Sequence, residues 1–370
     1  MKHAHAMRWL MLAALALAVL PKVAFAVDGI RLFDDRLVVH GKVSEQWVSR
    51  VYGLQDWERS SGKVSGYRWS HARTTLKLEV MARLYQGEQY ELNLYSVWKN
   101  YYDMAHEVDS GYRRNVENMG GHRALEDLKS YETFRDICRE LYLETNHDLF
   151  QLRVGKQIIS WGETSVARMT DIVNPTDLRG NLNPAYPDFA EIKRGLWMVR
   201  FFFTPLNQPM DMTYEFIVVP DFEPNWNWAS GYHLNHSSGA QSLAEPNEIL
   251  RATYRDVPSN EWKHPEVGFR IRGFAAGFDW TLLYFHHRSD DPTLKTGKAM
   301  QSQLMPALGK NGMGLYNALG WDYPLDDVYE YGWQDSIGFT FNKTVDKKIY
   351  FIPGTTWSMS GNVVKGEFLA

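Results

Sequence analysis

Residues 74–84 read Thr74-Thr-Leu-Lys-Leu-Glu-Val-Met-Ala-Arg-Leu84, placing Leu76, Leu78, Val80, Ala82 and Leu84 on one side and Lys77, Glu79 and Arg83 on the other. Side chains alternate across a strand, so this is a β-strand with one apolar and one ionisable face. After a turn near Gln86-Gly87 the pattern returns, with Tyr90, Leu92, Leu94 and Trp98 opposing Gln89, Glu91, Asn93 and Lys99. Residues 149–158 set Phe150, Leu152, Val154 and Ile158 against Gln151, Arg153, Gly155 and Gln157, with Lys156 as the exception. Val267, Phe269 and Ile271 oppose Arg270 and Arg272, and Ile337, Phe339 and Phe341 oppose Ser336, Gly338, Thr340 and Asn342. Segments 36–50, 136–146, 193–204, 210–220, 278–288 and 346–369 are strand-like but less regular. Together these make eleven strands, or twelve if Pro353-Gly354 divides the last.

The connections between these strands differ in length in a regular way. Short turns are expected at Gln86-Gly87, Asn146-His147, Pro205–Pro209, Ala276-Gly277 and Thr344–Asp346, with long connections at 51–68, 100–135, 159–192, 221–264 and 289–332. Tight turns at one end of a meander and long loops at the other predict an all-β, antiparallel, up-and-down transmembrane β-barrel. Lipocalin-like, jelly-roll and sandwich domains are the soluble rivals. A charged side chain facing lipid near the midplane costs roughly 2–4 kcal/mol, so the ionisable face is expected to point inward. Lys77, Glu79, Arg83, Glu91, Arg153, Gln157, Arg270 and Arg272 are the candidate lumen-lining residues. Tyr85, Tyr90, Trp98, Tyr101, Trp197, Trp280 and Tyr284 suit either interfacial girdles or mutual packing.

Composition sets the outer bounds. The chain has 370 residues, 44% hydrophobic and 23% charged, which excludes disordered and collagen-like classes. A single cysteine, Cys138, excludes internal disulfides and Cys-based zinc or iron–sulfur sites. Residues 1–26 read as a signal peptide: Lys2 and Arg8, the apolar run Trp9–Leu20, then Ala24-Phe25-Ala26 before the cut. That run is too short to cross about 30 Å of hydrocarbon as a helix. Losing Lys2, Arg8 and Lys22 takes the formal charge from −4 to −7, which argues against nucleic acid as a partner. Residues 27–370 are expected to form a single barrel domain.

One stretch is more specific. Arg153-Val-Gly-Lys-Gln-Ile-Ile-Ser-Trp-Gly-Glu-Thr, followed by Asp171-Ile-Val-Asn-Pro-Thr-Asp177-Leu-Arg, resembles a Gram-negative family of outer-membrane proteins catalogued as domain of unknown function thirteen-oh-two. The resemblance implies a porin-like barrel in the outer membrane, in a family often encoded beside transporters of the resistance-nodulation-division type. Read from the residues alone, Asn174-Pro175 and Asn183-Pro184 force turns, so 163–190 is not one helix. Loop 159–192, with Trp161, Glu163, Arg168, Asp171, Asp177 and Arg179, is expected either to fold back into the lumen as a constriction or to stand outside on its own ion pairs. Against the resembled family, the ending Gly366–Ala370 lacks a terminal aromatic and the chain is short, which raises the expectation of a C-terminal truncation.

Catalytic chemistry is weakly represented, and no enzyme, metal or cofactor is expected. Adjacent His286 and His287 point to opposite faces of a strand and cannot chelate one ion together. Glu140 and Glu144 stand about 13 Å apart along a strand, too far for a carboxylate pair. Three functions remain open: a porin-like channel passing or coupling export of small solutes through a charged lumen; an outer-membrane receptor or export partner for hydrophobic or lipid substrates; and a secreted soluble β domain. The second would couple to an efflux system or periplasmic adaptor, and its sign is apolar residues on the inner face, for which Ile217, Leu283 and Phe285 are candidates.

Overall fold

A computed structural model describes residues 26–49, 69–114, 129–131, 133–162, 169–178, 189–207, 209–226, 262–291, 293–294, 329–345 and 362–369. Residues 1–25 of the expected signal peptide and the constriction candidates Glu163, Arg168 and Arg179 lie outside the described residues. The strands are β1 (Ala26–Leu32), β2 (Leu37–Ser49), β3 (Trp69–Gln86), β4 (Glu91–Asp103), β5 (Cys138–Asn146), β6 (Phe150–Gln157), β7 (Leu196–Phe203), β8 (Thr213–Val219), β9 (Glu266–Ala275), β10 (Phe278–Arg288), β11 (Thr293–Leu294), β12 (Tyr329–Glu330), β13 (Trp333–Val345) and β14 (Asn362–Leu369). Twelve of them form one antiparallel sheet in chain order, with β11 and β12 paired separately above the β10–β13 junction. No described helix is long and apolar enough to cross a membrane.

The expected segregation of connections holds through β10. Two to four residues join β3 to β4, β5 to β6 and β9 to β10, nine join β7 to β8, and longer segments join the strands at the other end. Ala276 (φ 53°) and Gly277 (φ 77°) give the last of these hairpins two left-handed residues, the geometry whose twist matches the strands it joins. Two expectations need correction. Among the described residues the sheet reaches twelve strands through β1, which is not among the eleven expected and is joined to β2 through the left-handed residues Phe33, Asp34 and Asp35, while the Pro353-Gly354 division lies outside the described residues. Thr344 and Val345, expected in a tight turn, are instead strand, paired with Val363 and Asn362.

Register settles which residues share a face, since cross-strand partners do. Lys77, Lys99, Tyr95, Tyr142, Glu144, Arg153, Arg200, Glu215, Arg270 and Thr281 fall on one face, and Leu78, Leu143, Val154, Phe216, Leu282 and Ile337 on the other. The second face is exposed and largely apolar, with Leu84 52% exposed, Phe216 48%, Leu282 47% and Ile337 63%, and it carries charge toward its ends at Glu45, Asp335 and Lys343. Lys156, the exception to alternation, belongs to this outer face by register. It is buried nonetheless, because the single helical turn α1 (Phe134–Ile137) covers it and the Arg135 carbonyl accepts from its Nζ at 2.5 Å.

The sheet curves, and the segment between β6 and β7 shows it. Its Glu191 is held by Lys77 on β3 and Lys99 on β4, while the methyl of its Thr170 lies against Gly338 on β13. Eight strand spacings of about 4.8 Å would put β3 and β13 nearly 40 Å apart in a flat sheet. Yet Asp171 and Lys193, next to those two contact points, touch each other at 3.0 Å. The sheet therefore bends round this inner segment as a β-barrel-like wall, open between β1 and β14, which do not pair.

Candidate functional site

The inner segment leaves β6 at Gln157 and is anchored within a few residues. Trp161 is buried, with its indole N–H donating to Glu215 Oε1 at 3.3 Å and its ring edge-on to Phe285 at 5.8 Å between centroids. Gly268 on β9 leaves room for that ring, since a Cβ there would meet it at 2.9 Å. Ile159, Trp161 and Val173 from the segment close over Leu196, Met198, Ile217, Val219, Leu283 and Phe285 from β7, β8 and β10. Each large side chain so removed from water contributes about 1.5–3 kcal/mol. Beneath the indole, Glu215 is shared by Arg200 Nε at 2.6 Å and Arg270 Nη2 at 2.5 Å, so a buried carboxylate is answered by two guanidinium groups.

Polar side chains fix the shape of the segment. Asn174, from the Asn-Pro-x-Asp turn, accepts from Ile159 N at 2.6 Å and donates to the carbonyls of Gln157 (3.0 Å) and Arg194 (2.8 Å). One amide thus ties the exit of β6 to the approach of β7. Asp171 accepts from Trp161 N at 3.2 Å and pairs with Lys193. Lys193 also donates to the Asp171 and Asn174 carbonyls, at 2.7 and 3.2 Å. Asp177 bonds through its backbone N–H to Ile192 O, and its carboxylate faces Arg194 at 3.6 Å. Trp161 and Asp171 are therefore brought together on the inner side of the sheet, and Asp177 stands apart from them with Arg194. At the loop end, Arg194 also meets Asp136 and Glu223, and Arg135 holds Asp221 and Glu223.

The candidate lining residues divide into two groups. Lys77 and Glu79 pair at 3.0 Å, and Arg153 Nε reaches Glu144 at 2.6 Å beside the rings of Tyr95 and Tyr142, which lie 5.1 Å apart. Glu91 faces Asn146 across the β4–β5 ladder. Arg83 is exposed near the turn end, where it touches Gln86 at 3.4 Å. Arg272, also exposed, borders a cavity of about 270 Å³ with Asp211, Thr213, Asp279 and Asn342. Gln157 and Arg270 differ. Both are on the expected face, but the inner segment covers them, so they line no open space and serve to seat it. Tyr101, a girdle candidate, is likewise buried, packed on Tyr131 and under Arg73.

The segment reaches the opposite wall through Glu191. Its Oε1 is 3.1 Å from Lys77 Nζ and its Oε2 is 2.6 Å from Lys99 Nζ, and its carbonyl accepts from Arg139 at 3.2 Å. Burial alone would raise the Glu191 pKa; Lys99 and Lys77 outweigh it and bring the pKa down to about 2. Glu191, Lys193, Lys99 and Glu215 were not singled out from the sequence, because their partners lie as many as 114 residues away. Only Lys99, on the polar face of its strand, carried a usable signal. His286 and His287 do separate, the first stacking on Trp333 and the second bonding to Ser336. Among the described residues no three His, Cys, Asp or Glu side chains are placed to hold a metal ion.

No protein of curated function matches this sequence. Residues 7–364 match the family model described as "Protein of unknown function (DUF1302)", and the chain, with its meander of strands and its inward Trp161 and Asn174 turns, belongs to that family.

Proposed function

We propose that the protein is a porin-like channel of a Gram-negative outer membrane, passing or coupling the export of small polar solutes along the β3–β6 wall while the inner segment fills the β7–β10 side. The observation that carries this reading is the inverted distribution of side chains. Large apolar groups are exposed on the outer face, as at Leu282 and Ile337, while Lys77, Glu79, Glu144 and Arg153 face inward. In water such a face is a liability, and in lipid it is the required one. Rings at both ends of the outer face fit the membrane boundaries: Tyr90 and Phe150 by the turns, and Trp98, Tyr284 and Trp333 by the loops. A wall carrying both signs of charge gives weak ion selectivity.

The reading as a receptor or export partner for hydrophobic substrates is weaker. Its sign is present, since Ile217, Leu283 and Phe285 do face inward, but at 1%, 3% and 0% exposure they are already occupied by the inner segment. Reconstitution tests the proposal. Purified chain in a planar bilayer should pass current with little preference between potassium and chloride, and cells should retain it in the outer-membrane fraction. A soluble, non-conducting protein overturns it.

A further inference from the structure

The register places three lysines side by side: Lys42 on β2 opposes Lys77 on β3, which opposes Lys99 on β4. All three lie on the inner face, on one rung spanning about 10 Å. Like charges directly opposed across strands are destabilising, so such a row calls for counter-anions. Arg139 adds a fourth cation at its end. Among the described residues Glu191, from the inner segment, alone bridges the rung, with one oxygen on Lys77 and the other on Lys99. Glu79 takes part of the Lys77 charge, and Lys42, exposed on the same face, has no partner among the described residues.

We propose that the Lys42–Lys77–Lys99 rung is a binding site for small carboxylate solutes, which Glu191 occupies as a tethered stand-in. Three features point to a ligand. The occupant is a carboxylate held by both oxygens, the arrangement a free carboxylate would adopt. The occupant belongs to a separate chain segment and is replaceable, whereas Lys77, Lys99 and Arg139 project from consecutive strands of the sheet. The rung also extends past Glu191 to Lys42, leaving a second cation for a second carboxylate, so a dicarboxylate fits better than a monocarboxylate. This deepens the channel reading by naming a solute class, yet binding itself requires no pore.

Isothermal titration of the full chain in detergent tests the site, with succinate as probe and acetate for comparison. The Glu191→Gln chain should bind succinate at least tenfold more tightly than the parent and more tightly than it binds acetate. Adding Lys99→Gln should return the affinity to the parental level. No gain, or a gain indifferent to Lys99→Gln, overturns the proposal. Should Glu191→Gln not fold, Lys42→Gln in the parent chain serves instead: it should weaken succinate binding at least threefold, and unchanged binding overturns the site. Binding without bilayer current would remove the channel reading alone, and current without binding would remove the site alone.

Discussion

The inner faces of β3–β6 and β7–β10 are made by the same strand alternation but end in different states. On the first, Lys77, Glu79, Tyr95, Tyr142, Glu144 and Arg153 stay partly exposed, Lys77 pairing with Glu79 along its own strand while Tyr95 meets Tyr142 and Glu144 meets Arg153 across adjacent ones. On the second, Leu196, Ile217, Leu283 and Phe285 are sealed by Ile159, Trp161 and Val173, and beneath the indole Arg200, Glu215 and Arg270 are buried in one triad, with Arg272 exposed nearer the turns. The difference lies in the described residues between Gln157 and Leu196, which adhere to one half of the wall mainly through apolar contact and to the other through Glu191, its carboxylate on Lys77 and Lys99 and its carbonyl on Arg139. The attachment to β7–β10 is the permanent one in this account, and the contact with β3–β4 is the exchangeable one.

The largest expected effect comes from breaking the dry side. Trp161→Ala leaves a cavity over Phe285 and removes a donor to Glu215, and should lower unfolding stability by about 3–5 kcal/mol in denaturant titrations. Glu215→Gln strands two guanidinium groups and should cost a similar or slightly smaller amount, since it breaks a buried ion triad. Asn174→Ala removes three hydrogen bonds at the root of the inner segment. A loss of about 1–3 kcal/mol is expected, with protease cleavage between β6 and β7 appearing before global unfolding.

These predictions draw on what alternation made readable and on what it did not. The faces of β3, β4, β6, β9 and β13 were legible because one side chain in two is apolar and each strand carries its own record. The inward position of Ile217, Leu283 and Phe285 followed from the same parity. β1 was missed because its short Ile30 and Leu32 pattern abuts the signal-like leader. Lys156 broke the alternation because a loop, not a neighbouring strand, buries it. The partners of Trp161 and Glu191 were invisible, since which residues oppose an inner segment depends on how the whole sheet curves. Asn174 was read as a turn former, and its side chain proves equally important as a clamp.

Smaller effects should separate the two walls further. Glu191 has an ordinary pKa of 4.5 and a folded value of about 2, so its attachment to Lys99 and Lys77 is fully present above pH 4.5 and is lost as pH falls toward 2. Hydrogen exchange at residues 189–193 should rise over that window before exchange at Trp161 does, and the reverse order would contradict the assignment of strong and weak halves. The smallest effect belongs to Glu144→Gln. Its pair with Arg153 is part-exposed, so stability should change by less than about 1 kcal/mol, while bilayer selectivity should shift toward anions.

The account rests on which way the strands face, and spin labels placed singly along residues 76–82 of β3 in lipid vesicles report this directly. Even positions, including Leu78 and Val80, should collide with dissolved oxygen, and odd positions, including Lys77 and Glu79, with a water-soluble nickel chelate, giving two oscillations of period two in opposite phase. Oscillations in the same phase, or nickel access at Leu78 with oxygen access at Lys77, would contradict it.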